Sequence, residues 1–489
     1  MWRNTTTAHV EVRFAKARIG DCLREGVPLR WAFVVGVALV LTAGRVEAQP
    51  RSPPADAPIA EYPQDPARAR SVAPNPDAAR GLVEEPDDPE DAALDVPRAL
   101  LFVPANILEV VFTPLRWAGH AIDEYRIREH VIDFLYNDER TAAFYPIVLY
   151  EPSYGPSVGI GAFHTDVFGH EEHASGRAQF LGRYEQSYRA LFAADHFLGA
   201  PIWLESRLHY DAEPQVLFAG LQQPEDPVRS RFSQERVFSL NRVGVTIGER
   251  PRMAKVGVSA KYNHRLAEGA DDDFDDPPIQ DVYDTSSLVG FGRRWDTIEL
   301  DANLVIDTRN TRGFTSSGVL FESFGGGVMP NDDHGTYGHY GAEGSLFIDL
   351  YLHRVLTLRL GTEGVVGDER DIHFAELPQL GGSTSLRGYT RGLFRGNKSV
   401  LGTVQYNWPV HTYVSAELFA DVGKVGRDYE AIFADTPKEW RPGIGGGFQI
   451  HSDEDTFLRF DLAWGVDQGV GVYFSTGPLQ DLDERSLDL

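Results

Sequence analysis

The chain has 489 residues with a formal net charge of −26, 48 glycines, 11% aromatic residues and a single cysteine. Nucleic acid is not an expected partner, because phosphate contacts need clustered lysine and arginine. A multi-span helical membrane protein is excluded too, since such a protein needs several apolar runs of about 20 residues and the sequence has one candidate run.

That run belongs to a predicted export signal. Arg30 precedes the apolar stretch 31–44, and small residues follow at the positions that a signal peptidase reads. A transmembrane anchor, the alternative, needs a longer run. We predict a signal peptide over residues 1–48. Its removal would take away Cys22, so disulfides, thiolate metal sites and cysteine nucleophiles are not expected.

The next two segments differ in composition. Residues 49–97 are rich in proline, alanine and acidic residues and poor in large apolar ones, which predicts a disordered periplasmic linker. Residues 98–143 place apolar side chains at helical spacing, and Thr113-Pro114 is typical of a helix start. We predict an amphipathic helical segment that packs under the following domain, lies on the inner leaflet or plugs its lumen.

From about residue 144 the apolar period changes from 3.6 to 2, which indicates β-strands. Apolar and polar residues alternate clearly over 298–307, 356–363 and 457–464. A soluble β-sandwich alternates as well. The export signal, the many strands and the long polar links favour a transmembrane antiparallel β-barrel, in which every second residue faces lipid.

Link lengths give the barrel two different ends, as expected for short periplasmic turns and long extracellular loops. Keeping the long links at one end requires 285–307 to form one strand, although 293–296 also suits a turn. The count is then about sixteen strands over 144–476, five of them after the last long link, followed by a tail over 477–489. The tight links are 198–201, 249–252 and 351–354, and the long ones are 211–232, 265–284, 328–338 and 368–399.

Three short motifs occur in this region. In chain order they are Asp307-Thr308-Arg309 with Gly313 and Gly318, then Leu386-Arg387-Gly388-Tyr389, then Phe419-Ala420-Asp421-Val422-Gly423. Their order and spacing resemble the BamA/TamA family of outer-membrane barrels, also described as bacterial surface antigens, over roughly 140–476. The resemblance implies that the first is a periplasmic turn, the second an extracellular loop that folds into the barrel, and the third the strand that receives its arginine.

The alternation of strand residues predicts which side chains receive this arginine, independently of the family resemblance. On the strand 412–421, Glu417 and Asp421 lie on the face opposite the apolar residues and therefore point into the lumen. A guanidinium offers a planar fork to a carboxylate. We predict that Arg387 pairs with Asp421, with Glu417 close by, and that the pair holds the loop inside the barrel. The alternative is a surface loop with an incidental arginine.

The sequence departs from the family pattern at three places. Gln405 stands where the family commonly has a glutamate, and residues follow the last strand where members usually finish on an aromatic residue. In addition, residues 49–143 lack the mixed strand and helix pattern of the polypeptide-transport-associated domains that the family carries in the periplasm.

Two further clusters contain residue types that can bind metals. The histidines of His170-Glu171-Glu172-His173 are three apart, unlike the i, i+4 pair of a helical zinc protease, so we predict a turn. The acidic run 271–276 contains five aspartates, whose carboxylates calcium prefers, but it lacks EF-hand spacing, so we predict a solvated loop. We predict no metal site, no cofactor, no catalytic set and no enzyme activity.

The resemblance implies a protein of the Gram-negative outer membrane that aids insertion, assembly or translocation there. Its expected partners are outer-membrane lipid and, as substrates, unfolded outer-membrane proteins or lipids. Two alternatives stay open. One is a passive pore or solute channel gated by the inward loop, and the other is a structural surface protein.

Overall fold

The computed structural model describes residues 135–475, except for short gaps at 138, 153, 171, 182–184, 225–226, 250–251, 272–275, 312–313, 332, 352, 412–413, 435–438 and 452–455. The predicted signal peptide, linker, tail and nearly all of the predicted helical segment lie outside the described residues. The following description concerns the barrel.

Sixteen strands form one closed barrel, and two short strands pair with each other in the longest loop. In chain order the strands are Ala142–Glu151 (β1), Gly155–Thr165 (β2), His173–Leu181 (β3), Glu185–Ala194 (β4), Ile202–Phe218 (β5), Ser230–Glu249 (β6), Arg252–Gly269 (β7), Arg294–Asp307 (β8), Gly318–Pro330 (β9), Tyr337–Tyr351 (β10), Arg354–Val366 (β11), Gln379–Leu380 (β12), Phe394–Arg395 (β13), Lys398–His411 (β14), Val414–Gly426 (β15), Arg441–His451 (β16), Thr456–Gly465 (β17) and Gly469–Ser475 (β18).

Every barrel strand pairs antiparallel with its neighbours in the chain, β11 pairs with β14, and β1 meets β18 to close the ring. The prediction of a sixteen-stranded antiparallel barrel is confirmed. Five strands follow the longest loop, also as predicted. An even strand number places both ends of the barrel sequence on the side of the short turns, as in bacterial outer-membrane barrels.

The alternating pattern creates two chemically different surfaces. Large apolar side chains point outward, for example Val258 at 59% exposure and Leu360 at 66%. Their polar sequence neighbours Ser259 and Arg359 are buried on the lumenal side. In water such an apolar exterior would be unfavourable, whereas against lipid it is the expected surface.

The strands differ from the predicted ones at several ends. The interpretation of 285–307 as one strand is wrong, because β8 begins at Arg294. Before it, Asp284 caps a 3₁₀ turn, and Gly290 and Gly292 adopt positive φ values that a strand does not use. Conversely, β5 continues to Phe218 and β6 begins at Ser230, so the long link between these two strands is shorter than predicted.

Helical structure among the described residues is confined to short turns. None of the helices in these residues is long and apolar enough to cross a membrane. Most of the turns lie in the long loops. They are Phe197–Gly199, Ile279–Val282, Thr285–Ser287, Glu369–Asp371, Phe374–Glu376 and Tyr429–Phe433.

Candidate functional site: a loop anchored in the barrel lumen

The Leu386–Tyr389 motif lies at the tip of a hairpin. Strands β12 and β13 pair antiparallel, with Gln379 opposite Arg395. At the tip, Ser385 Oγ accepts a hydrogen bond from Gly381 N at 3.0 Å and donates one to Gly381 O at 2.8 Å. This local bonding narrows the tip, and Ser385 and the motif after it are buried inside the barrel.

Arg387 and Asp421 form a two-pronged ion pair inside the barrel. Arg387 Nε donates to Asp421 Oδ2 at 2.8 Å and Nη2 donates to Oδ1 at 2.9 Å. The backbone N–H of Arg387 adds a third bond to Oδ2 at 3.1 Å. Both side chains are fully buried. The geometry uses the planar fork of arginine, which a lysine could not reproduce.

The rest of the guanidinium is held by three neighbours on the barrel wall. Nη1 donates to Glu417 Oε1 at 3.3 Å and to Gln405 Oε1 at 3.2 Å. The Phe419 ring lies under the guanidinium, with 3.3 Å from Cζ to the ring centroid, which is a cation–π contact. Gln405, the departure from the family pattern, therefore still bonds the loop arginine, as an amide instead of a carboxylate.

Amide side chains satisfy the second oxygen of Glu417. Gln405 Nε2 donates to Glu417 Oε2 at 3.2 Å, and the Gln449 amide donates to the same oxygen. Asp461 accepts a hydrogen bond from Arg459 Nε at 2.8 Å, and the same carboxylate lies 3.9 Å from Arg387 Nη1. Buried charges without such partners would be costly, so this network makes a single loop position favourable.

The motif also contacts the last strand. Gly388 N donates to the Tyr473 hydroxyl at 3.0 Å, and that hydroxyl donates to Tyr389 O at 3.1 Å. The Tyr389 hydroxyl in turn donates to Pro442 O at 2.9 Å and accepts from Val466 N at 3.1 Å. Sequence reasoning missed Tyr473. Its lumenal position follows from alternation, but no pattern assigns it to the loop.

Apolar residues of the loop complete the anchor. Leu386 is fully buried with Leu380, Leu393 and Phe394 in a cluster that includes residues of the barrel wall. A neighbouring cluster surrounds Phe374. Beside it, burial and then the charges of Arg265 and Arg395 lower the pKa of His373 well below its usual value. The loop is thus packed as a small core.

Comparison with known proteins agrees with this architecture. Residues 166–478 match the Omp85 superfamily domain. The chain belongs to the Omp85 superfamily. A search of curated proteins finds no match. In this Omp85 chain the matched domain coincides with the barrel from the β2–β3 turn onward.

Three solved structures align with this chain at TM-scores below 0.5. BamA from Haemophilus ducreyi lacking POTRA domains 1–3 is 14% identical with a TM-score of 0.48, over 69% of this chain and 70% of that one. CdiB from Acinetobacter baumannii is 12% identical with a TM-score of 0.43, over 69% and 60%. CdiB from Escherichia coli is 11% identical with a TM-score of 0.47, over 69% and 63%. The alignment spans less than two thirds of each CdiB chain.

The Asp307–Arg309 motif of the Omp85 barrel forms a self-contained turn at the opposite end from the loop. Arg309 Nε and Nη2 each donate to the Asp307 carboxylate at 2.9 Å. Gly318 adopts a φ of +120°, and a Cβ there would collide with the Thr308 carbonyl. Gly313 lies outside the described residues.

The two other clusters take no part in the anchored loop. Glu172 is buried and its Oε2 accepts the backbone N–H groups of Phe168 at 3.0 Å and His170 at 3.2 Å, which makes it a turn-stabilising residue. Most of the acidic run 271–276 lies outside the described residues. Its last member, Asp276, pairs with Arg231 at 2.8 Å.

Proposed function

We propose that this Omp85 barrel inserts or translocates polypeptides at the bacterial outer membrane, using the seam between β1 and β18. Membership in the Omp85 superfamily supports the general assignment. The observation that supports a role for this seam is the unequal pairing of its two strands. Among the described residues β1 and β18 share one register pair, Tyr150 opposite Phe474, whereas β1 pairs with β2 at ten positions and β17 with β18 at seven.

A short seam has a direct chemical consequence. Unpaired N–H and C=O groups along a strand edge form a template for another strand. An unfolded outer-membrane protein is rich in strands that can pair in this way, and β-augmentation would give them backbone hydrogen bonds before their own barrel closes. Lipid that enters through the same seam is the second substrate class that we propose.

The anchored loop is linked to the seam. Tyr473, which bonds Gly388 and Tyr389, is the residue immediately before Phe474 in β18. Movement of the loop therefore changes the support of the strand that forms one side of the seam. We propose that the Arg387 network sets the resting, closed position of β18.

Locking the seam tests this proposal. Cysteines at Tyr150 and Phe474 face each other across an antiparallel pair, at a spacing that suits a disulfide. Cys22 is the only native cysteine and is changed to serine. The double variant is oxidised and reconstituted in liposomes, and its effect on the folding rate of a denatured outer-membrane barrel is measured. We expect this rate to be at least tenfold lower than with the wild-type protein. Reductant should restore it.

The matched control places cysteines at Val148 and Val158, which are opposite each other across β1 and β2 and also face lipid. Its disulfide should leave the rate unchanged, because β1 and β2 do not separate. Equal activity of the oxidised seam variant and the control would contradict the seam proposal. Steady ion conductance without folding assistance would favour a passive pore instead.

A further inference from the structure

A second group of polar residues lies in the lumen, on the wall formed by β8, β9 and β10. Glu299 and Asp301 are two positions apart on β8 and share its lumenal face. Asp301 lies opposite Gly326 of β9, and Gly326 lies opposite His339 of β10. Asp301, Gly326 and His339 therefore form one row across three strands.

Glycine in the middle of this row brings its two ends together. A Cβ at Gly326 would collide with the Asp301 carboxylate and the Leu300 carbonyl. Without it, His339 Nε2 reaches Asp301 Oδ1 at 2.5 Å across the intervening strand. The ligand atoms of Glu299, Asp301 and His339 all lie within 4.8 Å of one another. A cation bound by all three would replace the direct contact between His339 and Asp301.

The row borders a cavity that is chemically suited to a cation. The cavity measures about 70 Å³, enough for an ion with a few waters. Four carboxylates and three cationic side chains line it. Asn263 also lines it and is 1% exposed, yet its Oδ1 has no hydrogen-bond partner among the described residues. A buried amide oxygen of this kind is expected to accept a bond, and a metal-bound water would donate one.

We propose that Glu299, Asp301 and His339 bind one divalent transition-metal cation, with Zn²⁺ as the best fit. An imidazole combined with carboxylates favours zinc over calcium or magnesium, which prefer oxygen ligands alone. Lys261 Nζ lies 3.3 Å from Glu299 Oε2 and competes for this carboxylate. Asp301 and His339 are therefore the stronger ligands. The cation would brace β8 to β10 across Gly326.

Metal content and affinity of the full-length protein, refolded in detergent, test the proposal. After removal of bound metal with chelator, we expect wild type to bind one Zn²⁺ per chain, by calorimetry and by elemental analysis. H339Q and D301N should each weaken binding at least tenfold, since both keep the size and polarity of the site but remove a ligand. Heat-modifiable mobility in gels confirms that each variant has folded.

The control is H264Q. His264 also pairs with a carboxylate, Asp296, at 2.7 Å, but on the outward face of β7 and with no third ligand among the residues that the structure describes. This variant should bind Zn²⁺ like wild type. The proposal is overturned if the folded wild-type protein binds no Zn²⁺, if H339Q and D301N bind it equally well, or if calcium and magnesium compete with it at similar concentrations.

Discussion

Replacing Arg387 with alanine is expected to release the loop tip from the lumen and to lower the free energy of unfolding of the barrel by about 3–5 kcal/mol. The variant removes a fully buried guanidinium and leaves Asp421 buried without its partner. Two bonds from Nη1 and the contact with the Phe419 ring are lost as well. Arg387→Lys should be intermediate, because it keeps the charge without the planar fork.

Limited proteolysis of the folded barrel and denaturant unfolding in detergent measure this effect. The control is Arg370→Ala, in the same loop. Its ion pair with Asp368 has side chains 86% and 46% exposed, so its loss should cost less than about 1 kcal/mol. A loop that is cut equally fast in wild type and Arg387→Ala, with unchanged unfolding, would show that the ion pair does not hold the loop.

Gly388→Ala is expected to destabilise the anchored loop by about 2–5 kcal/mol, for two reasons that add. Gly388 adopts a φ of +93°, which strains any residue with a Cβ. The new Cβ would also lie 2.7 Å from the Trp464 carbonyl oxygen and 2.8 Å from Gly465 N, which are backbone atoms of the barrel wall that cannot turn aside.

Gly469→Ala separates these two contributions. Gly469 has a similar φ of +77°, but a Cβ there would have nothing within 4 Å. Only backbone strain should appear, at about 1–2 kcal/mol. Denaturant unfolding and loop proteolysis again give the comparison. If the two glycine variants unfold alike, close approach of the loop to β17 is not what requires glycine at position 388.

Local periodicity explains why much of the fold is predictable from the sequence. A side chain of a strand points to the face opposite that of its neighbours, so the lumenal position of Asp421 and Glu417 follows from the apolar residues between them. The loop motif identified Arg387 as the candidate for that receiver. The stretch 285–293 was predicted wrongly as part of a strand, because its sequence does not show that Gly290 and Gly292 adopt positive φ values.

Relationships between distant strands could not be predicted in this way. Tyr473 meets the loop, and His339 meets Asp301, only because of the register between strands. Register depends on pairing along the whole barrel, and a shift of one residue turns every side chain to the other face. The row through Gly326 therefore has no signature in the sequence, although each of its residues is visible there.

The most direct test of the central proposal is the outer-membrane proteome of a strain that lacks this protein. We predict that one or more β-barrel proteins fall at least severalfold in abundance. Wild type should restore them, as should the Val148–Val158 cysteine control, while the oxidised Tyr150–Phe474 variant should not. An outer membrane with unchanged barrel proteins in the deletion strain would contradict a role in insertion or translocation of outer-membrane polypeptides.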